Sequence, residues 1–136
     1  MTDFVKGFIE ANIEFIDAED WAEVVSLWYG EVASNFTYDD NEFIEFGQVL
    51  SSAGINFMDN SISARTEFMK NLMSQYLEEN VDSARYSGKS EIKKNDILMC
   101  IDSDLGFTYE ELEKILDDVS ENEYKLELDF TCYYVR

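Results

Sequence analysis

Twenty carboxylates of this chain have no basic side chain to pair with. Thirty Asp and Glu stand against ten Lys and Arg, a formal net charge of −20 at pH 7 and a sequence pI near 4.1. Two like charges about 6 Å apart repel by roughly 0.7 kcal/mol in bulk water, and by more beside a low-dielectric surface. Whatever fold forms must be held against that repulsion. A net charge of magnitude about 2 to 8 keeps a small domain soluble, so the excess points to use of the field and not to solubility alone. The apolar material to hold it is present: 46% of residues are hydrophobic and 15% aromatic. That is enough to offset the entropy of ordering the backbone, unlike a disordered acidic tail. At 136 residues the length suits one ordinary core and not two.

Apolar spacing in the first half is helical. Phe4, Val5, Phe8, Ile9, Ile13 and Ile16 predict a helix over about 3–15 behind a Thr2 cap. Asp17 is then read as the cap of a second helix, with Asp20 at its third position and Trp21, Val24, Val25, Leu27, Trp28 and Val32 inward. A third helix starts at Asp39 or Asp40, carries Phe43, Phe46 and Leu50, and stops at Ala53-Gly54, because glycine takes the left-handed conformation at little cost. Phe68, Met69, Leu72, Met73, Tyr76 and Leu77 mark a fourth helix ending near Arg85 or Tyr86.

After Ser87-Gly88-Lys89-Ser90 the period changes. Ile97 to Ile101 reads as a short buried strand, and Thr108-Tyr109-Glu110-Glu111 as a capping box opening a helix. Tyr124, Leu126, Leu128, Phe130, Cys132 and Tyr134 alternate with Lys125, Glu127, Asp129, Thr131, Tyr133 and Val135, the pattern of a strand with one wet face. The expected class is α+β: a helical region over 1–86, a linker over 87–96, and a strand-helix-strand module over 97–136 on the same core. Two strands make a marginal sheet, so a third is expected from Ile55-Asn56-Phe57-Met58 or from a second copy of the chain.

The charge is segmental. Residues 1–60 hold 13 acids and one base, Lys6; residues 61–96 hold six of each; residues 97–136 hold 11 acids and three bases. Glu10, Glu14 and Asp17 recur at i, i+4 and i+7, Glu19 and Glu23 at i and i+4, and Asp39, Glu42 and Glu45 at i, i+3 and i+6. Helical neighbours three or four apart lie about 5–6 Å from each other, and like charges there destabilise the helix. The expected partner-binding face is therefore Glu10, Glu14, Asp17, Glu19, Asp20, Glu23, Asp39, Asp40, Glu42 and Glu45. Glu127 and Asp129, about 7 Å apart along one strand face, form a second patch. The density is comparable to that of phosphates in duplex DNA, about one charge per 1.7 Å of axis.

Asn12-Ile13, the run Ile16-Asp17-Ala18-Glu19-Asp20-Trp21, and Ser51-Ser52-Ala53-Gly54-Ile55-Asn56-Phe57 resemble the Ocr-type phage antirestriction proteins over about residues 12–85. The segment from Thr66 to Ala84 falls where that family places its long helix. The resemblance implies an acidic helical protein that mimics bent DNA, dimerises and blocks restriction enzymes. The mixed run Lys89 to Lys94 and everything after it depart from that family.

Catalysis and cofactors are not expected. The chain has no histidine, which removes the usual Ser-His-Asp, Cys-His and zinc-water arrangements. Gly88-Lys89-Ser90 lacks the upstream glycine of a phosphate loop. Asp102, Asp104, Gly106, Thr108, Glu110 and Glu113 approximate a calcium loop, but its sixth position is Phe107 and not glycine. Cys100 and Cys132 are read as buried thiols acting as small hydrophobes. Trp21, Trp28, Tyr29, Phe36 and Tyr38 are read as core, not as a binding platform.

No segment approaches the roughly 20 apolar residues of a membrane span. Met1 to Lys6 lacks the basic start of an export signal, so a cytoplasmic location, the host bacterial cytoplasm, is expected. The functional expectation is a DNA-mimic inhibitor that occupies the nucleic-acid groove of a basic DNA-binding protein or nuclease complex. It would bind neither nucleic acid nor membrane, and a homodimer is open to it. The alternative is an immunity protein for a cognate basic nuclease toxin.

Overall fold

Of the residues that the computed structural model describes, 1–35 and 39–135, 67% are helical, and the only sheet has three short strands. The expected α+β class is thereby corrected: the chain is broadly helical with a minor sheet. It divides into two compact units, Met1–Phe68 with Asp102–Gly106, and Met69–Ile101 with Phe107–Arg136.

In the first unit Thr2 caps α1 (Asp3–Ala11), its Oγ1 accepting the Val5 N–H at 3.3 Å. The helix expected over 3–15 breaks at Asn12, whose side-chain amide donates to the Phe8 carbonyl at 2.9 Å, a local bond that competes with continued helix. A five-residue α2 (Ile13–Asp17) follows. The cap of α3 (Trp21–Ser34) is Asp20 and not Asp17: its Oδ1 accepts the Glu23 N–H at 3.4 Å, after a left-handed Glu19 at φ 54°.

Helix α4 (Asn41–Ser52) ends as its sequence indicates. Gly54 takes φ 84°, Gly54 N–H donates to Ser51 O at 3.0 Å and Ile55 N–H to Leu50 O at 2.8 Å, the pair of bonds that closes a helix through a left-handed residue. The segment considered for a third strand is instead a single helical turn, α5 (Phe57–Asn60), capped by Asn56.

Trp28, fully buried, joins these helices. Its ring lies 5.2 Å from Phe4, 4.9 Å from Phe8, 5.6 Å from Phe43 and 5.0 Å from Phe46. Trp21 packs edge-on to Phe57, so both tryptophans are core; Phe36 and Tyr38 lie outside the described residues. The segment 102–106 is tied to the same unit. Asp102 N–H donates to the Tyr29 hydroxyl at 2.9 Å, and the buried Arg65 donates to the carbonyls of Leu105 and Met58 and to Ser61 Oγ. A Cβ on Gly106, which has φ 82°, would stand 3.0 Å from the Phe43 ring.

Helix α6 (Ile62–Ser87) begins in the first unit and continues in the second, where β1 (Glu91–Lys93) and α7 (Lys94–Leu98) follow. The strand expected at 97–101 is thus the end of a helix and a turn. Lys94, Ile97 and Leu98 are buried at helical spacing, whereas Met99 and Cys100 are exposed. Cys132 is the buried thiol of the two, which corrects the reading of Cys100 as buried. Thr108 and Glu111 form the expected capping box of α8 (Tyr109–Asn122), with reciprocal bonds of 3.2 and 3.0 Å.

The single C-terminal strand is instead a hairpin, β2 (Glu127–Leu128) and β3 (Cys132–Tyr134). The third strand is β1, from the stretch expected to be a linker, and the order is β1-β3-β2 with both pairs antiparallel. The turn defeats the alternation: Leu128 pairs with Tyr133, so these two share a face, and Tyr133 is fully buried. Burial, then its hydrogen bond to Asp117, pushes the Tyr133 hydroxyl far above the usual phenol range.

Two substitutions test these assignments. Trp28→Ala is expected to cost about 3–5 kcal/mol, read as a lower urea midpoint at unchanged m-value. Thr108→Ala removes the cap of α8 and is expected to cost about 1 kcal/mol in the same titration.

Candidate functional site

The start of α4 gathers acids for a local reason. Asp and Glu near a helix N-terminus meet the positive end of its dipole, and Asp40 is the N-cap while Asp39 Oδ1 accepts the Asn41 N–H at 3.0 Å. Asp39 and Asp40 are exposed; Glu42 and Glu45, one turn apart on the helix, are half-buried. Glu45 is paired: its Oε1 accepts from the Met1 amine at 3.3 Å and the Thr2 N–H at 3.0 Å.

Glu42 fares differently. Its Oε2 is shielded and has no hydrogen-bond partner among the described residues, and burial, then Asp39 and Glu45, push its carboxyl above the usual range. Asp104 joins this corner from the 102–106 segment. Its carboxyl is pushed up mainly by burial and further by Asp40, against the Gly106 N–H bond at 2.9 Å that lowers it. Asp104 is a member that the chain order could not reveal, because only the return of 102–106 to the first unit brings it beside Asp40. Asp39 lies before the helix, so the expected i, i+3, i+6 stripe holds on α4 for Glu42 and Glu45 only.

The other acids of the first unit are exposed. Glu10 lies in the last turn of α1, while Glu14 and Asp17 lie on α2; the i, i+4, i+7 series therefore spans two helices. Glu19 precedes the cap of α3, Asp20 is that cap, and Glu23 lies in its first turn. Glu10, Asp17 and Glu31 occupy the last turns of α1, α2 and α3, where no basic residue is present. A carboxylate there faces the negative end of the helix dipole, so helix stability does not account for it. Among the described residues, Glu45 is the one acid of residues 1–60 in an ion pair. The first unit holds 16 acids against Lys6 and Arg65, and the second 14 acids against eight bases.

In the second unit Glu127 lies on β2 and Asp129 at the hairpin turn, both exposed, with Asp129 Oδ1 accepting the Phe130 N–H at 2.7 Å. The hairpin places the exposed Phe130 next to them. Behind it Lys94, 5% exposed, stands 2.9 Å from Asp117 Oδ1 and 3.7 Å from Glu113 Oε1, with its ammonium over the Tyr133 ring.

Among the described residues no group of three or more Cys, Asp and Glu is arranged to hold a metal ion, and none of their helices is long and apolar enough to cross a membrane. No protein-family model, curated protein or solved structure matches the chain.

Because the folded-state pKa of Glu42 is raised, its ionisation opposes folding, and stability from this group is lost as pH rises through that value. Glu42→Gln is therefore expected to melt at a higher temperature than the parent at pH 7. The gap should close as pH falls below the ordinary Glu value of about 4.3. Parallel thermal melts across that window check it.

Proposed function

We propose that the chain is a non-enzymatic acidic inhibitor whose first unit stands in for the phosphate backbone of DNA and occupies the nucleic-acid groove of a basic defence or DNA-handling protein. Such an inhibitor would be of the antirestriction or anti-CRISPR type. The observation that carries the reading is the placement of exposed carboxylates outside any ion pair at Glu10, Glu14, Asp17, Glu19, Asp20 and Glu23, of which Glu10 and Asp17 stand at helix ends that they do not stabilise. Asp39 and Asp40 extend them at the α4 start. Proteins that bind DNA contact it largely through Lys and Arg on the phosphates, and such side chains read charge and spacing more than covalent structure. The resemblance of residues 12–85 to the Ocr-type proteins points the same way. The bacterial cytoplasm is where such a target would be met.

A second reading, an immunity protein for a basic nuclease toxin, draws on Ile13 and Phe15. These are 43% and 39% exposed on either side of Glu14, the mixture of apolar anchor and acid that concentrates binding energy in a few residues.

The test is affinity capture from a bacterial lysate at low salt. A basic DNA-handling protein released by added DNA duplex supports mimicry, and a partner retained in molar potassium chloride defeats it, because screening at that strength reduces the Debye length to about 3 Å. With the captured protein in hand, the combined change Glu10→Gln, Glu14→Gln, Asp17→Asn and Glu23→Gln is expected to weaken binding roughly tenfold or more. Each single change should do little. The double change Glu10→Gln and Asp17→Asn should melt at a higher temperature than the parent, since both removed charges stand at the negative ends of helix dipoles.

A further inference from the structure

The β2–β3 hairpin of the second unit presents a large aromatic side chain to solvent on a rigid mount. Phe130 is 93% exposed, and Leu128, two residues before it, is 40% exposed. Only Asp129, Phe130 and Thr131 lie between the strands, and the turn is closed by Asp129 N–H donating to Cys132 O at 2.9 Å beyond the Leu128–Tyr133 pair. It is held at its base as well: Lys94 N–H donates to Thr131 O at 3.0 Å, the Lys94 ammonium is paired to Asp117, and the Tyr133 hydroxyl donates to the same Asp117 oxygen at 2.7 Å. Tight turns favour Gly, Asn, Asp and Ser for conformational reasons, and nothing in the local fold calls for phenylalanine at the tip.

What surrounds the ring decides its partner. Phe130 and Leu128 share one recess with Glu113, Asp117, Asp129 and Lys94. Three carboxylates there meet one ammonium, already bound by two of them. Glu127 lies on the strand leading into the turn. An apolar tip ringed by net negative charge fits a surface in which an apolar crevice is framed by Lys and Arg.

We propose that the Phe130 hairpin is a second docking element, which inserts its ring into an apolar crevice of a cationic protein surface while the adjacent acids engage the surrounding bases. The inference rests on the reading of the chain as a binder of basic proteins, and adds to it that recognition is not by charge alone. A duplex backbone has no counterpart to this ring, so the hairpin would separate one target from other DNA-binding proteins. Backbone bonds from Asp129 to Cys132 and from Lys94 to Thr131 hold the turn, which lowers the conformational entropy lost on docking.

Two peptides of equal length and charge test it, one of Lys and Ser and one of Lys and Leu. The variant Phe130→Trp places an indole at the tip, read as a difference spectrum against the parent, in which Trp21 and Trp28 are buried. The expected result is a blue shift of that indole with the Lys-Leu peptide and none with the Lys-Ser peptide. Phe130→Ala should weaken the Lys-Leu peptide about tenfold and leave the Lys-Ser peptide unchanged. Binding of the Lys-Leu peptide without a blue shift would overturn the hairpin element and leave the acidic first unit standing. Failure of both peptides to bind at low salt would overturn the two together.

Discussion

Trp28 brings together Phe4 and Phe8 from α1 with Phe43 and Phe46 from α4, so one buried ring on α3 fastens three helices that all carry unbridged acids. Each aromatic pair adds about 0.5–1.5 kcal/mol beyond the area it buries. Surface repulsion between carboxylates several ångströms apart is of similar size per pair. The balance is possible because the rings interlock where water is excluded, while the charges face a medium that screens them. Phe57 extends the cluster to Trp21, Phe43 and Phe46, and a scaffold fixed in this way holds its carboxylates in place.

The bases tell a complementary story. Arg65 and Lys94, one in each unit, are each only 5% exposed, so two of the ten basic side chains are withdrawn from the surface. Arg65 donates to two carbonyls and a hydroxyl, holding 102–106 to the first unit. Lys94 joins α7 to α8 through Asp117 and Glu113. Removing the acid partners of the buried Lys94 is far more damaging than losing a surface pair, because it leaves a charge without compensation. The interior use of these cations deepens the imbalance outside.

Much of the local structure was legible because it is decided by near neighbours. Thr108 with Glu111, Gly54 after α4, and the apolar stripe of α6 each specify an element within a few residues. The misreadings arose where two local choices compete or where distant contacts decide. Asn12 interrupts a periodic apolar run through a bond to its own preceding turn, and Asp20 rather than Asp17 takes the cap, although both have the right side chain. Ile97 to Ile101 has the composition of a strand but only part of it is buried. Residues 91–93 carry Glu, Ile and Lys, too little apolar content to announce the strand that pairs with β3. Of the acidic site, exposure of the α1–α3 acids followed from their amphipathic spacing. The pairing of Glu45 and the approach of Asp104 to Asp40 did not, because both join residues far apart in the chain.

The scarcity of bases in the first unit also governs how the protein can be seen by chemical probes. Between Lys6 and Arg65 there is no site for trypsin, and Arg65 is itself buried. Amine-directed cross-linkers would report almost wholly on the second unit, where most of the lysines lie. Carbodiimide chemistry, which activates carboxyl groups, is the labelling that maps the acidic surface, and protection from it in a complex would trace the footprint of a partner residue by residue.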